Sequence, residues 1–187
     1  LVPTPPRTPF RSQTKDTPDV TQSLSVLLKT SSAQMLPALG NILRKGAEYA
    51  AARNVPEEVL LNSRLFPDMF ALTRQVQIAC DQVTRGGARL AGQDLPSFPD
   101  IETSFAELID RTARANEFCQ GLSAEAIDAR AETSITIPIG GGNELTLPCG
   151  RFCATFLLPN LYFHSATAYN ILRHSGVALG KKDFLQP

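Results

Sequence analysis

From Val20 onward, apolar residues recur with a period near 3.6. Leu24, Leu28, Met35, Leu39 and Ile42 share one face of a helix that the pattern carries to about Arg53. Pro37 lies inside it, and a proline ring blocks an interior hydrogen bond, so a kink or a split is expected there. A short helical turn is expected at Glu57–Leu61. A second main helix then carries Leu65, Met69, Leu72, Val76, Ala79 and Val83 at alternating spacings of four and three, which gathers one apolar stripe. Gly86-Gly87 weakens that helix and Gly92 closes it. A third helix is expected to open at Pro99-Asp100 with Asp100 as its N-cap. It aligns Ile101, Phe105, Leu108, Thr112, Ala115 and Cys119, and Gly121 marks its end.

The period then changes from 3.6 to two. Thr133-Ser134-Ile135-Thr136-Ile137 and Leu145-Thr146-Leu147 alternate on either side of Gly140-Gly141-Gly142-Asn143, which predicts a β-hairpin. The glycine run lacks the Lys-Ser/Thr and the following helix of a phosphate-binding loop, so it is read as a hairpin turn. A last helix is expected from about Arg151 to His174, with Pro159 inside it and a stop at Ser175-Gly176. The segment after Gly176 is short and polar enough to wrap the surface. The pattern therefore predicts a mainly α protein. It is an antiparallel four-helix bundle with a small β-hairpin between helices three and four, spanning residues 20–187. Residues 1–19 hold five prolines and little apolar surface, and are expected to be a disordered arm. Arg7, Arg11 and Lys15 leave open that this arm is the remnant of a targeting leader.

Composition narrows the function classes without naming one. Eighteen basic residues balance 18 acidic ones, so no net positive field is available to hold a nucleic-acid backbone. No apolar run approaches the ~18 residues of a membrane span. The four cysteines form no dense framework and there is no secretory apolar core, so a reduced, cytoplasmic protein with plain thiols is expected. Cys149 and Cys153 lack the second pair that a structural zinc site would need.

The sequence carries no HExxH, GxSxG, GxGxxG or Walker pattern. With only two histidines, and His174 accounted for by a helix C-terminus, attention falls on His164. Leu157, Leu161, His164, Ala168 and Ile171 trace one helical seam, which aims His164 inward, and Asn160 lies one turn before it. A buried imidazole beside Tyr162 and Tyr169 can act as an acid or base; equally, it can be a core histidine held by a hydrogen bond. On the second helix Phe70, Thr73, Gln77, Cys80 and Thr84 form a mixed stripe that could supply a second polar wall.

Two blocks carry a resemblance. Leu65-Phe66-Pro67-Asp68-Met69-Phe70 with Arg74-Gln75-Val76-Gln77 is the first. Pro159-Asn160-x-Tyr162-Phe163-His164, continuing through Tyr169, Leu172-Arg173-His174 and Gly176 to Leu179-Gly180-Lys181, is the second. Together they resemble a family of unknown function within the DinB/YfiT-like superfamily, over roughly residues 22–185. The resemblance implies a four-helix bundle, often dimeric. Many superfamily members bind a divalent metal through three histidines, and some are thiol-dependent transferases or isomerases. At the implied ligand positions this chain has Gln77, Asn160 and His164. Neutral amide oxygens are poor ligands for zinc, nickel or iron, so no cofactor is expected and a divalent metal is not favoured.

Three readings follow, in order of preference. The first is a metal-independent small-molecule enzyme or binder. His164 would shuttle a proton in isomerase-type chemistry, Gln77, Asn160 and Thr73 would orient the ligand, and Tyr162 or Tyr169 would lend a hydroxyl. The second is a non-catalytic dimeric structural or interaction protein. The third is a metal-dependent thiol transferase or isomerase like other superfamily members. The partners expected are a small-molecule ligand and a second copy of the chain, with neither nucleic acid nor membrane.

Overall fold

The computed structural model describes residues 22–185. The arm expected over residues 1–19 lies outside them. Four long helices form the body: α1 (Leu24–Ala52), α3 (Leu72–Ala91), α4 (Phe105–Gly121) and α7 (Leu158–His174). Shorter pieces connect and cover them: α2 (Glu57–Leu61), α5 (Ala124–Asp128), α6 (Cys149–Phe152) and α8 (Lys181–Leu185). Strands β1 (Ser134–Gly140) and β2 (Asn143–Pro148) pair antiparallel between α5 and α6, which is the expected hairpin between the third and fourth main helices. Among the described residues no helix is long and apolar enough to cross a membrane.

Cross-helix contacts give the chain directions. Ser32 meets Asn116 and Gly46 meets Phe105, so α1 and α4 run antiparallel. Gln75 meets His164 and Gly86 meets Leu157, so α3 and α7 do too. Asp81 meets Arg111 and Gly87 meets Leu122, so α3 and α4 run the same way. Parallel neighbours need a connection that travels back along the helix, and residues 93–104 supply it. This long return is what makes α3 and α4 the parallel pair in the bundle.

Several element boundaries differ from the pattern reading. α1 continues through Pro37 without a break. The flanking Leu36, Ala38 and Leu39 are all buried, and their packing outweighs the hydrogen bond lost at the proline. α3 begins at Leu72, because Pro67 interrupts the run, and Leu65 stays exposed. Leu72, Val76, Ala79 and Val83 form the buried stripe as expected. Gly86 and Gly87 do not weaken the packing of α3 but permit it. A Cβ at Gly86 would sit 2.5 Å from Leu157 Cδ1, and one at Gly87 would sit 2.8 Å from Leu122 Cδ1. α4 opens at Ser104, not Asp100. The Ser104 side chain accepts from Glu107 N while the Glu107 carboxylate accepts from Ser104 N, a reciprocal capping box.

The last helix begins at Cys149 and passes through a π-helical segment, Cys153–Leu157, before α7. A π turn widens the helix by one residue, and Pro159 follows directly, where its missing N–H would interrupt a regular ladder. The hairpin turns at Gly141 and Gly142, both at positive φ (60° and 77°), which suits a two-residue reversal between twisted strands. Ile135 and Ile137 face the core, while Thr136 and Thr146 hydrogen-bond across the open face at 2.8 Å.

Candidate functional site

The polar residues buried inside the bundle come from α1, α3, α4, α7 and the 93–104 return. His164 is 8% exposed and lies with its Nδ1 2.7 Å from Gln75 Oε1. Gln75 Nε2 donates to the Phe70 carbonyl at 3.1 Å, which turns its amide oxygen toward the imidazole. An amide oxygen only accepts, so Nδ1 carries the proton and Nε2 keeps the lone pair. Burial, and after it the charge of Arg74, holds the His164 pKa below the ordinary histidine value. At neutral pH the ring is uncharged.

Gln77 belongs to a different set. Its Nε2 donates to Glu102 Oε2 at 2.9 Å, and its Oε1 accepts from Arg74 at 3.3 Å. Glu102 also accepts from Arg111, whose side chain is wholly buried. The Arg111 guanidinium reaches Asp81, Asp100 and Glu102, each at 2.9 Å, and the carbonyls of Phe98 and Pro99. Burial pushes the Glu102 carboxyl upward, but hydrogen bonds from Arg111 and Gln77 outweigh it and leave the pKa lowered. Arg74 pairs with Asp100 as well. The result is an ion cluster that staples the return segment across α3 and α4, with Nε alone left without a partner among the Arg111 guanidinium nitrogens.

The other expected site residues are placed on separate surfaces. Asn160 donates to the Phe156 carbonyl at 2.7 Å, closing the turn where the π segment meets α7. The Tyr162 hydroxyl donates to Ser31 Oγ on α1 at 3.0 Å. Tyr169 packs edge-on against Phe184 of α8. Thr73 donates to the Leu61 carbonyl at 3.1 Å. No hydrogen bond among these side chains joins Gln77, Asn160 and His164 to one another. Gln75, two residues before Gln77, is the actual partner of His164. Its position three residues after Leu72 put it on the edge of the apolar stripe, which was the available signal.

The thiols are buried. Burial pushes Cys80 and Cys153 up to about 12, and raises Cys119 as well, so none of these three is poised as a thiolate nucleophile. The donor set at the implied metal positions does not suit a transition metal. Gln77 Oε1 already faces a guanidinium, and a second cation there would meet repulsion.

A concavity lies on the other side of α3. A groove of about 740 Å³ runs between α3, the tip of β1 and the start of the π segment. Arg74, Asp81, Arg85 and Arg89 line its α3 side at helical spacing. Phe70, Ile78, Ile137, Ile139, Phe152 and Phe156 provide the apolar surface. Phe152 and Phe156 stack with centroids 5.5 Å apart. Arg74 belongs both to this groove and to the inner network.

This fold and these sequence blocks meet in the comparisons with known proteins. A family model described as a domain of unknown function (DUF1993) matches residues 27–185. The chain belongs to the DUF1993 family. A solved structure described as a DinB family member from Shewanella denitrificans is similar to this DUF1993 chain at 44% sequence identity and a TM-score of 0.77. The alignment covers 87% of this chain and 91% of the other. The DinB-like family and mainly helical fold expected from the sequence are therefore both found. None of the curated proteins matches the chain. The residues that line the groove all fall within the matched DUF1993 region.

Proposed function

We propose that this DinB-like protein is a metal-independent binder of a small molecule, and that the ligand occupies the groove between α3, the hairpin and the π segment. The observation that carries this reading is the groove itself. Its volume, about 740 Å³, falls in the ~300–1,000 Å³ range of small-molecule pockets. Its walls combine stacked aromatics with a few convergent charges, the composition that gives a ligand both burial and orientation.

Binding is favoured over proton transfer at His164. The imidazole is neutral, its Nδ1 is committed to Gln75, and it is not among the groove-lining residues. Its contribution is to hold Gln75, and through it the Phe70 carbonyl, at the groove's mouth. Gln77 likewise acts through Arg74, which it helps to orient. Metal chemistry is disfavoured because the guanidinium of Arg74 occupies the face of Gln77 that a ligand-bound cation would need.

The test is a thermal-shift screen of the full-length, untagged protein against neutral, cationic and anionic aromatic fragments. A ligand that binds only the folded state raises Tm by mass action. The reading expects saturable shifts in the wild type that disappear in Ile139→Trp, where an exposed residue on the groove wall is replaced by one that fills it. No shift from any fragment at millimolar concentration would overturn it. Shifts that persist unchanged in Ile139→Trp would overturn the placement.

A further inference from the structure

Every strongly buried charge in the inner cluster has a counter-charge, but the groove does not follow that rule. Arg74, Arg85 and Arg89 all line it. Arg74 is paired with Asp100, and Asp81, the one carboxylate among the lining residues, is taken by Arg111 from behind. Arg85 and Arg89 have no hydrogen-bond or ion-pair partner among the described residues. They are four apart on one helix, so their side chains are neighbours, and like charges at that spacing repel. Arg89 is also partly buried, and burial, followed by the charge of Arg85, lowers its pKa. Asp81, one turn before Arg85, offsets part of this repulsion by charge alone, but neither guanidinium has a hydrogen-bonded counter-ion in the free protein. An anion placed between them would supply one.

The opposite wall defines what the anion is attached to. Phe156 is backed by the buried Phe152, the two rings 21° apart, and the exposed Ile139 comes down from the hairpin across from α3. Such a wall takes a flat apolar body in van der Waals contact. An apolar wall and a cationic one within a single groove suit a molecule with its charge at one end.

We propose that the groove recognises an amphipathic organic anion, with a carboxylate or phosphate held between Arg85 and Arg89 and an aromatic or similarly flat apolar body against Phe156 and Ile139. This rests on the reading of the groove as a small-molecule site and names the ligand chemistry of that site. Guanidinium groups are suited to the head group because their forked N–H donors match two oxygens of a carboxylate or phosphate at once. The hydrogen bonds so formed are charge-assisted and inside a partly desolvated groove.

The test uses isothermal titration of the full chain with three probes sharing one ring system: 2-naphthoate, 2-naphthyl phosphate and neutral 2-naphthamide. The wild type should bind at least one of the two anions about tenfold or more tighter than the amide, the loss expected when a charge-assisted hydrogen bond is removed. The stronger of the two identifies the head group as carboxylate or phosphate. In Arg85→Gln and Arg89→Gln the preference over the amide should collapse while the amide's own affinity is kept. Both residues are at the surface and circular dichroism melts check that the variants fold. Equal affinity for all three probes in the wild type would overturn the anion assignment and leave the groove as a neutral site. Binding of none of them would overturn the assignment, and with a blank fragment screen would overturn the groove reading as well. An anion preference unchanged in both variants would also overturn it.

Discussion

Arginines on the two sides of α3 have opposite circumstances. Arg111, reaching α3 from α4, is wholly buried and gives its donors to three carboxylates and two carbonyls. Arg85 and Arg89, on the outward side of α3, are in or at the edge of solvent and have no partner among the described residues. The first arrangement is structural: it ties the 93–104 return to the body and lets α3 and α4 lie parallel. The second leaves charge unspent where a ligand could use it. A charge's role in this fold is thus read from what already surrounds it, since the residue type is the same in both places.

The comparison breaks most sharply at Arg111. Replacing it with leucine strands Glu102 and exposes Asp81 to an apolar neighbour, and removing one partner of a buried ion pair costs about 3–5 kcal/mol. Urea denaturation of Arg111→Leu should show a loss of that size. A loss under about 1 kcal/mol would mean that the cluster does not staple the return segment.

Gly86→Ala is the next largest. The added Cβ would run into Leu157 at the π segment, and overpacking of this kind costs about 1–3 kcal/mol. Because Leu157 is next to Phe156, the same variant should also weaken binding of any groove ligand, which titration calorimetry would read.

The His164–Gln75 pair should be worth about as much as the Gly86 contact and less than Arg111. Gln75→Ala leaves a buried imidazole donor unsatisfied, a cost of about 1–3 kcal/mol. The pair also has a pH signature. The folded-state pKa of His164 lies below its unfolded value, so the unfolded chain takes up the proton more readily. Stability from this residue is fully present above about pH 6.5 and falls as the pH drops toward the lowered folded value. Urea midpoints measured from pH 7.5 down to 5 should decline in the wild type and decline less in His164→Gln. Parallel curves would show that His164 is not held neutral.

The smallest effect is near zero. Arg85→Gln removes a like-charge neighbour from Arg89 and an opposite-charge neighbour from Asp81 and breaks no hydrogen bond, so stability should change by less than ~0.5 kcal/mol. A larger loss would reveal a partner for Arg85 and remove the contrast with Arg111.

Much of this architecture was legible in the chain. Ile135 and Ile137 alternate with Thr136 and fold as the hairpin's inner face. Leu157, Leu161, His164, Ala168 and Ile171 all turn inward on the seam that spacing assigned to them. Ser104-Phe105-Ala106-Glu107 carries the S-x-x-E form of a capping box, yet Asp100 looked the better cap because it directly follows a proline. Its carboxylate is instead drawn to Arg111 and Arg74, contacts that depend on where the return segment lands. Arg111 itself interrupts the seam between Leu108 and Ala115, a hint of burial that a one-dimensional pattern reads as an ordinary surface charge. The groove left no local trace at all. Its walls are residues 70–89, 137–140 and 152–156, and only the π segment and the hairpin bring them together.

The central claim is that recognition happens on the outward face of α3 rather than at the buried imidazole. The most direct measurement is a ¹H–¹⁵N chemical-shift titration of the full chain with 2-naphthoate. The account predicts saturable shifts clustered at Phe70, Arg85, Arg89, Ile139 and Phe156, with Gln75 and His164 changing little. Shifts centred on Gln75, Gln77 and His164, with the groove residues unmoved, would contradict it.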